Sequence, residues 1–347
     1  MAQLPTSDIY TIHDSVSLQD PSGRNVRYII NLLAKLTPVY RNGKFTPASH
    51  GTYHLNTFQT SSVGAARTTA NKGFLLNKGT FSSERDNMGT LGNVSTVDKR
   101  TVGPYQSLSR VRQIAADVII TDIANQFETD FFYANSASDP LSFDGLATRY
   151  NSLTGTRGQM VVDGGGLASG NTQLTSMWLV SWGDRQCNII HPPNMPAGVY
   201  REDRGEWRVL DRDGNPYFAY EEYISMSSGL TLGDFTFTGR VANIDVEEAQ
   251  AGNVNLFSLL QELVYERLKA RWNADLNDWS KSPTGRQVIY MNRQMFSALI
   301  TLGRNAGASD NFVRLTPMTI EGKEYPSYMG TPIEVTDAIV NTETLVA

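Results

Sequence analysis

The segment from residue 58 to residue 102 constrains the fold most, because it cannot bury a hydrophobic core of its own. The glycines that divide it into short, mostly polar pieces are Gly64, Gly73, Gly79, Gly89 and Gly92. Such punctuation is typical of a long β-hairpin. Because an uncored loop of this length is unusual inside a compact domain, we predict that it packs on another molecule. A neighbouring subunit is the natural candidate.

The composition fits a protein whose surface is covered by partners. The chain has 347 residues, of which 40% are hydrophobic and 19% are charged, whereas about 25% is the usual charged share. This length is enough for two or three subdomains. The formal net charge of -5 argues against a protein whose main task is to grip phosphate groups, since such proteins concentrate lysine and arginine.

The sequence gives no sign of export or of membrane insertion. Its first twenty residues lack the basic start and apolar run of a signal peptide. The longest apolar runs fall far short of the ~20 residues that a bilayer span needs. Cys187 is the single cysteine, so an intrachain disulfide is impossible, which fits a reducing cytoplasm. We expect a soluble protein with no membrane partner.

Residues 107–134 form the strongest predicted helix. Apolar side chains recur there at helical spacing and make one stripe, which consists of Leu108, Val111, Ala115, Val118, Ile119, Ile123, Phe127 and Phe131. At ~1.5 Å per residue the helix would span about 42 Å. A helix of this length can support several other elements that pack along its side.

The rest of the chain predicts strands followed by shorter helices. The predicted strands are residues 177–182, 207–210, 217–223, 235–244, 288–290, 331–335 and 344–346. A turn at residues 211–216 joins two of them as a hairpin. A second helix is capped by Asn253 and continues to Leu276, and a third begins at Asn292 and ends at Gly303. The fold class is therefore α+β.

No group of residues predicts a catalytic, cofactor-binding or metal site. His50 and His54 have the spacing of two metal ligands on a helix, but the residues between them favour strand or turn. Asp211, Asp213 and Asn215 resemble the start of a calcium loop, yet Gly214 comes too early, so a hairpin turn is the better interpretation. We therefore predict that the protein is not an enzyme.

Three further patterns have structural interpretations. The glycine-rich residues 163–170 could expose amides to an anion, but they match no phosphate-binding fingerprint, and a hinge between subdomains fits better. Adjacent carboxylates such as Glu221 and Glu222 point to opposite faces of a strand and cannot easily share acid/base work. Beyond Arg185, Cys187 has no nearby basic cluster to lower its pKa.

Three stretches, in this order, resemble the coat proteins of tailed phages with the Hong Kong 97 type fold, and most of all the epsilon-fifteen-like podovirus coat proteins. The first is the long helix, which ends in Phe131-Phe132-Tyr133 and runs into Phe143-Asp144-Gly145-Leu146. The second comprises residues 175–183, 202–205, 211–214 and 240–245. The third comprises residues 288–293, 330–333 and 336–337.

This resemblance implies a division of the chain into five parts. Residues 1–57 would form an N-terminal arm and residues 58–102 an extended loop. Residues 103–174 would form a peripheral domain with the long spine helix, residues 175–319 an axial domain, and residues 320–347 a return to the peripheral domain. The motifs lie after residue 105, whereas the first hundred residues match in role and length alone.

The resemblance also implies a function and a set of partners. The chain would be a major capsid protein that self-assembles as hexamers and pentamers into an icosahedral shell around double-stranded DNA, without sequence-specific DNA binding. Expected partners are a separate scaffolding protein, a portal protein at one vertex and decoration proteins. The expected location is the virion, after assembly in the bacterial host cytoplasm.

Three alternatives stay open at this point. An encapsulin-like nanocompartment shell protein has the same fold but packages an enzyme. A β-rich enzyme could use residues 163–170 as an anion site. A tail protein or another structural protein of the virion would form tubes or rings instead of closed shells.

Overall fold

The computed structural model describes residues 35–74, 78–102, 108–167, 173–183, 185–211, 213–268, 286–305, 316–320 and 323–347. The helices are α1 (Pro38–Asn42), α2 (Lys99–Val102), α3 (Leu108–Tyr133), α4 (Leu146–Arg149), α5 (Gly155–Gly158), α6 (Val246–Ala251), α7 (Leu256–Gln261) and α8 (Arg293–Asn305). The strands are β1 (Phe45–Pro47), β2 (Tyr53–Gln59), β3 (Phe81–Asn87), β4 (Gly89–Asp98), β5 (Val161–Asp163), β6 (Leu174–Trp182), β7 (Cys187–His191), β8 (Tyr200–Leu210), β9 (Pro216–Leu232), β10 (Gly239–Asp245), β11 (Arg286–Met291), β12 (Thr316–Ile320), β13 (Lys323–Tyr328) and β14 (Thr331–Val335).

Strand β6 lies at the centre of the main sheet. All nine of its residues are buried, as expected for a strand that is covered on both faces. It pairs antiparallel with β10 on one side and with β11 on the other, and β11 continues the sheet through a parallel pairing with β14. These pairings confirm the strands predicted at residues 177–182, 288–290 and 331–335.

Strand β9 joins this sheet to a second one. Its last residues pair with β7, which belongs to the main sheet. Its residues 216–225 pair with β8 and its residues 219–228 pair with β4, and both pairings are antiparallel. The turn between β8 and β9 is closed by Asp211, whose Oδ1 accepts from the backbone N–H groups of Asp213 and Asn215 at 3.0 and 2.7 Å. The predicted hairpin is confirmed. The Asp211 carboxylate, which resembled the first ligand of a calcium loop, accepts backbone hydrogen bonds within this turn instead.

Helix α3 agrees with its predicted bounds to within one residue at each end, but its buried face is not one straight stripe. Val111, Ile123, Phe127 and Phe131 are buried as predicted, whereas Val118 is 43% exposed. At about 100° per residue, Val118 lies opposite Phe127 on the helix. The buried face turns along the helix because Arg112 near its start contacts Glu222 of β9, whereas Phe131 near its end stacks on Trp182 of β6. The prediction for Val118 was wrong for this reason.

Aromatic side chains fill the junction between the end of α3 and the main sheet. Phe131 stacks on Trp182 with ring centroids 5.5 Å apart, and Phe132 lies 6.2 Å from Trp178 and 6.1 Å from Tyr290. The Trp182 indole N–H donates to the Tyr290 hydroxyl at 3.0 Å. Large aromatic rings in such edge and offset arrangements dominate the energetics of a core.

Two predicted elements have different boundaries. Residues 235–244 were predicted as one strand, but Phe235–Phe237 forms a 3-10 turn, since the Asp234 carboxylate accepts from the Thr236 backbone N–H. The helix predicted after Asn253 is capped by Asn255 and ends in a π-helical turn at Arg267. Its predicted continuation to Leu276 lies outside the described residues.

Two predictions near the C-terminus were wrong. Helix α8 begins after Asn292, whose side chain caps the Met295 N–H at 2.8 Å as predicted, but it passes through Gly303 to Asn305. A glycine ends a helix by taking a positive φ, and Gly303 keeps helical geometry. Residues 344–346 form no strand; instead Val346 exchanges two hydrogen bonds with the side chain of Asn243.

Residues 36–42 dock at a buried carboxylate on α3. Glu128 is 1% exposed and accepts hydrogen bonds from the Val39 backbone N–H at 3.2 Å and from the Thr336 hydroxyl at 3.0 Å. Arg41, which lies nearby, is in an ion pair with Glu334. Removal from water raises the pKa of Glu128 to about 7.

We predict that this carboxylate makes the protein less stable as the pH rises. A folded pKa of about 7 lies above the ordinary value of 4.5, so the folded state holds the proton more tightly than the unfolded state. This stabilisation is complete below pH 4.5 and is lost as the pH rises through 7. The free energy of unfolding, measured in urea, should therefore be higher at pH 5 than at pH 8, and this group should contribute about 2 to 3 kcal/mol of the difference.

The variant Glu128→Gln should remove most of that difference, because glutamine does not titrate. Asp122→Asn, on the exposed side of the same helix, is the matched control and should keep the pH dependence of the parent. An unchanged pH dependence in Glu128→Gln would contradict the assignment.

Candidate assembly site

The hairpin of β2 and β3 projects a long exposed tip. The strands pair antiparallel from Tyr53 opposite Asn87 to Gln59 opposite Phe81. Among the described residues 60–74 and 78–80, Gly79 alone is buried. Phe74 at the tip is 71% exposed, and Phe81, in the last strand pair before the tip, is 69% exposed. A single exposed aromatic side chain is common on protein surfaces. Two of them on one hairpin that has no hydrophobic core of its own indicate a surface that a partner covers.

A buried ion pair holds the base of this hairpin. Asp86 on β3 is 2% exposed, and its Oδ1 lies 2.7 Å from Nη1 of Arg149, which ends α4. Asn56 of β2 and Thr231 of β9 each donate to Asp86 Oδ2 at 2.7 Å. The remaining donors of Arg149 reach the carbonyl oxygens of Leu230 and Asp144 at 2.9 and 3.0 Å. Both charges are therefore hydrogen-bonded on several sides, as a buried pair requires.

A second, more exposed layer surrounds this pair. Arg157 donates to Glu84 of β3 at 2.5 Å. The Phe58 ring of β2 meets Phe235 edge to face at 6.3 Å. These contacts and the ion pair fix the direction in which the hairpin leaves the body of the chain.

The sheet formed by β8, β9 and β4 has one covered face and one open face. The covered face lies under α3, where Arg112 contacts Asp203 at 2.7 Å and Glu222 at 3.6 Å. Arg201 also pairs with Glu222, which is buried. The open face carries Trp207, which is 53% exposed, and Val94, which is also exposed. An uncovered sheet face with a large aromatic is a second surface suited to contact with another subunit.

The residues considered as chemical sites do not form a metal-binding cluster within the described part of the chain. His50 and His54 lie in a bend and a strand, where Ser49 bonds to both rings. Within the described ranges, no cluster of three or more metal-ligating side chains occurs. Cys187 is buried, and its burial raises the pKa of the thiol. No described helix combines the length and the apolar character that crossing a bilayer demands.

The glycine-rich segment also lacks the features of an anion site. The N–H groups of Gly164 and Gly166 donate to the carbonyl oxygens of Ala242 and Asn243 at 2.8 Å, so they are not free to bind a ligand. The groove beside them is lined by Asp245 and Glu248, whose charges would repel an anion. The predicted hinge therefore begins with a segment held against β10; residues 168–170 lie outside the described part.

Sequence reasoning did not single out Arg149 or Asp86. They lie 63 positions apart, and neither belongs to a motif. Only the pairing of β2 with β3 and the position of α4 bring them together. Glu222 lies on the face opposite Glu221 as predicted, but it is buried and pairs with Arg112 and Arg201 of the same chain.

Comparison with known structures defines the class of protein. The alignment with a chain of bacteriophage Epsilon15 has 26% identity and a TM-score of 0.71, and it covers 100% of this chain and 99% of the phage chain. The capsid of bacteriophage JBD30 is 9% identical, with a TM-score of 0.51 over 90% of this chain and 94% of that one, and supports the fold alone. The fold is the Hong Kong 97 type fold of phage capsid proteins.

The family follows from the sequence. The model of the family "Major capsid protein GP7" matches residues 20–347, and the chain therefore belongs to that family. No curated protein sequence matches it significantly. An encapsulin complex from Synechococcus elongatus aligns with a TM-score of only 0.43, 13% identity and 66% of this chain against 96% of that one, too weak a likeness to support an argument.

We predict that Asp86→Ala destabilises the subunit by about 3 kcal/mol, because it leaves the Arg149 guanidinium buried without its counter-charge. Glu84→Ala, which removes the more exposed carboxylate of the same strand, should cost at most about 1 kcal/mol. Urea unfolding of both variants measures the difference. Equal losses would show that burial of the ion pair is not what holds the hairpin base.

Proposed function

We propose that this major capsid protein assembles as hexamers and pentamers into a closed icosahedral shell that encloses double-stranded DNA. The observation that carries the proposal is the exposed hairpin, which has aromatic side chains, no core and a base anchored by a buried ion pair. In a monomer such a hairpin exposes its aromatic side chains to solvent, whereas a neighbouring subunit that covers it buries them in apolar contacts. The net charge of -5 suits a shell that surrounds DNA more than it binds DNA.

We further propose the five-part division of the chain. Residues 1–57 serve as an arm, 58–102 as the extended loop, 103–174 as the peripheral domain with α3 as its spine helix, 175–319 as the axial domain and 320–347 as the return to the peripheral domain. The contacts of α3 with β4 support the position of the loop base beside the spine helix. The partners in assembly are a separate scaffolding protein, a portal protein at one vertex and decoration proteins.

The protein has no catalytic role in this proposal, and it reaches the virion after assembly in the cytoplasm of a bacterial host. The buried, protonated thiol of Cys187 and the acidic groove at residues 164–167 are consistent with a purely structural role. The alternative of an encapsulin-like shell differs in content: such a shell holds a protein cargo, whereas a phage capsid holds DNA.

Electron microscopy tests the proposal. Negatively stained particles of the full-length chain, expressed with the other assembly proteins of its phage, should be round shells with hexameric capsomers. Their content, measured by the ratio of absorbance at 260 and 280 nm and by nuclease treatment, should be DNA. Tubes or open rings would contradict the shell, and a protein cargo would favour the encapsulin alternative.

Intact-mass measurement tests the proposal of a separate scaffolding protein. Some relatives carry a cleaved helical scaffolding segment at the N-terminus, and the first hundred residues here contain no long charged helical pattern. The subunit from mature particles should therefore keep its first tens of residues. A mass lower by several kilodaltons would show that the arm is cleaved after all.

A further inference from the structure

The loop that follows helix α3 presents a largely exposed leucine. Leu141 is 83% exposed, more than Phe74 at the hairpin tip, which is 71% exposed. Two positions further along the chain, Phe143 is buried and packs near Phe127 of α3. The loop is therefore anchored in the core, while its leucine lies in solvent. We call residues 135–145 the leucine loop.

Hydrogen bonds inside the leucine loop hold this side chain in one place. Every backbone N–H between residues 136 and 142 donates to an acceptor within residues 135–144, and Pro140 has no N–H to donate. Asp139 Oδ1 accepts from the Leu141 N–H itself at 3.0 Å. The loop is closed where the Gly145 N–H donates to the Ala134 carbonyl oxygen at 2.8 Å. A backbone whose donors are all bonded within the loop has few alternative conformations.

This rigidity distinguishes Leu141 from an ordinary surface leucine. A single exposed apolar side chain is common and needs no explanation. Ordering a flexible loop, however, is one of the main costs of binding a partner. Here the ordering takes place during folding, before a partner arrives. An apolar side chain on a rigid support is the arrangement of an interface anchor, which fills a hollow in the partner.

The charges of the leucine loop indicate the chemistry of that partner. The loop contains no lysine, arginine or histidine, so it has nothing with which to attract the phosphate groups of a nucleic acid. Its two carboxylates, those of Asp139 and Asp144, accept from backbone N–H groups of the loop. The partner that fits is a protein with an apolar hollow, and it does not need to supply a counter-charge.

The position of the leucine loop favours a second copy of the chain as this partner. The loop borders Gly89, where the chain returns from the hairpin to β4, and a side chain at Gly89 would begin only 2.8 Å from the Leu141 carbonyl oxygen. Leu141 therefore lies beside the base of the hairpin, for which the proposed function already assigns a neighbouring subunit. The hairpin and the leucine loop form one continuous surface.

We propose that Leu141 is an anchor of the contact between subunits and inserts into an apolar hollow of a second copy of the chain. The proposal rests on the proposed shell function and adds a contact residue outside the extended hairpin. It explains why the hydrogen bonds of the loop are arranged around a side chain that is not part of the core of its own subunit.

Thiol protection tests whether a partner covers this side chain. In the variant Leu141→Cys, Cys187 is fully buried and burial raises the pKa of its thiol, so the introduced thiol should be the one that reacts. The variant is assembled with an excess of the parent chain, so that shells form. In closed shells its thiol should react with a maleimide at least about tenfold more slowly than in free subunits, because a covered thiol is inaccessible. Shells dissolved in urea give the total thiol content as a control.

A photo-activated cross-linker attached to the same thiol identifies the partner. Shells should give a cross-linked species with the mass of two subunits. A species that joins one subunit to a different assembly protein would overturn the choice of a second copy, and an unprotected thiol in closed shells would refute the contact itself. If the parent chain forms no closed shells, the proposed function fails before the contact is at issue.

Paired substitutions test whether the anchor depends on the rigid loop. Leu141→Ala removes the buried apolar surface and should lower the yield of closed shells about tenfold. Asp139→Ala removes the acceptor of the Leu141 N–H and should lower the yield about threefold. Asp139→Asn, which keeps an acceptor oxygen, should match the parent. Adding Asp139→Ala to Leu141→Ala should lower the yield no further, because the anchor is already absent.

Leu167→Ala is the matched control. Leu167 is 71% exposed and lies in the groove beside β10, away from the leucine loop. Its truncation should leave the shell yield of the parent unchanged. Circular dichroism and thermal unfolding of every variant should match the parent, because the substituted side chains are exposed. Equal losses of yield in Leu167→Ala and Leu141→Ala would mean that exposed leucines promote assembly in general, and the anchor proposal would be wrong.

Discussion

The structure depends on the contact between the last turns of α3 and strand β6. Phe131 and Phe132 meet Trp182 and Trp178 there, and all four rings are nearly or fully buried. Truncation of one such ring costs about 3 to 5 kcal/mol, a large part of the stability of a typical domain. Because this contact fixes the C-terminal end of a 26-residue helix, the other end is placed on the sheet of β8, β9 and β4. One aromatic junction thus sets the spacing of the two sheets.

Buried charges orient the segments that this frame holds. Arg149 with Asp86 aligns the hairpin. Arg240 with Glu343, each 4% exposed at the side chain and 2.8 Å apart, holds the C-terminal segment, and the guanidinium also donates to Ser176 Oγ and lies 5.0 Å from the ring centre of Trp178. Such pairs add little net stability because both charges lose water, but they are satisfied in one geometry only. A shell subunit has to present its surfaces at fixed angles, and these joints provide them.

The sequence predicted helices, strands and turns more accurately than it predicted contacts between residues that are distant along the chain. The long helix, the central strand and the hairpin at Asp211 were predictable because each follows from periodicity or turn chemistry in consecutive residues. Val118 and Gly303 were misjudged because tertiary packing decides which side of a helix is covered and where it ends. The ion pair of Arg149 and Asp86 was out of reach, since no local pattern relates residues so far apart. The fold class and family were accessible through resemblance in residues 105–347, whereas composition and unmatched motifs argued against most chemistry without naming a capsid.

The uneven distribution of charge matters for how identical chains meet. The hairpin tip, residues 60–80, carries a charge of +3 from Arg67, Lys72 and Lys78; subtracting it from the total of -5 leaves -8 for the rest of the chain. At long range two copies therefore repel each other, which disfavours non-specific association of exposed apolar side chains such as Phe74 and Trp207. Within about one screening length the basic tip reverses the sign of that interaction, but only in orientations that bring it near carboxylates. Net repulsion combined with local attraction favours orientations that bring the tip near carboxylates, and a closed shell requires its subunits to meet in few orientations.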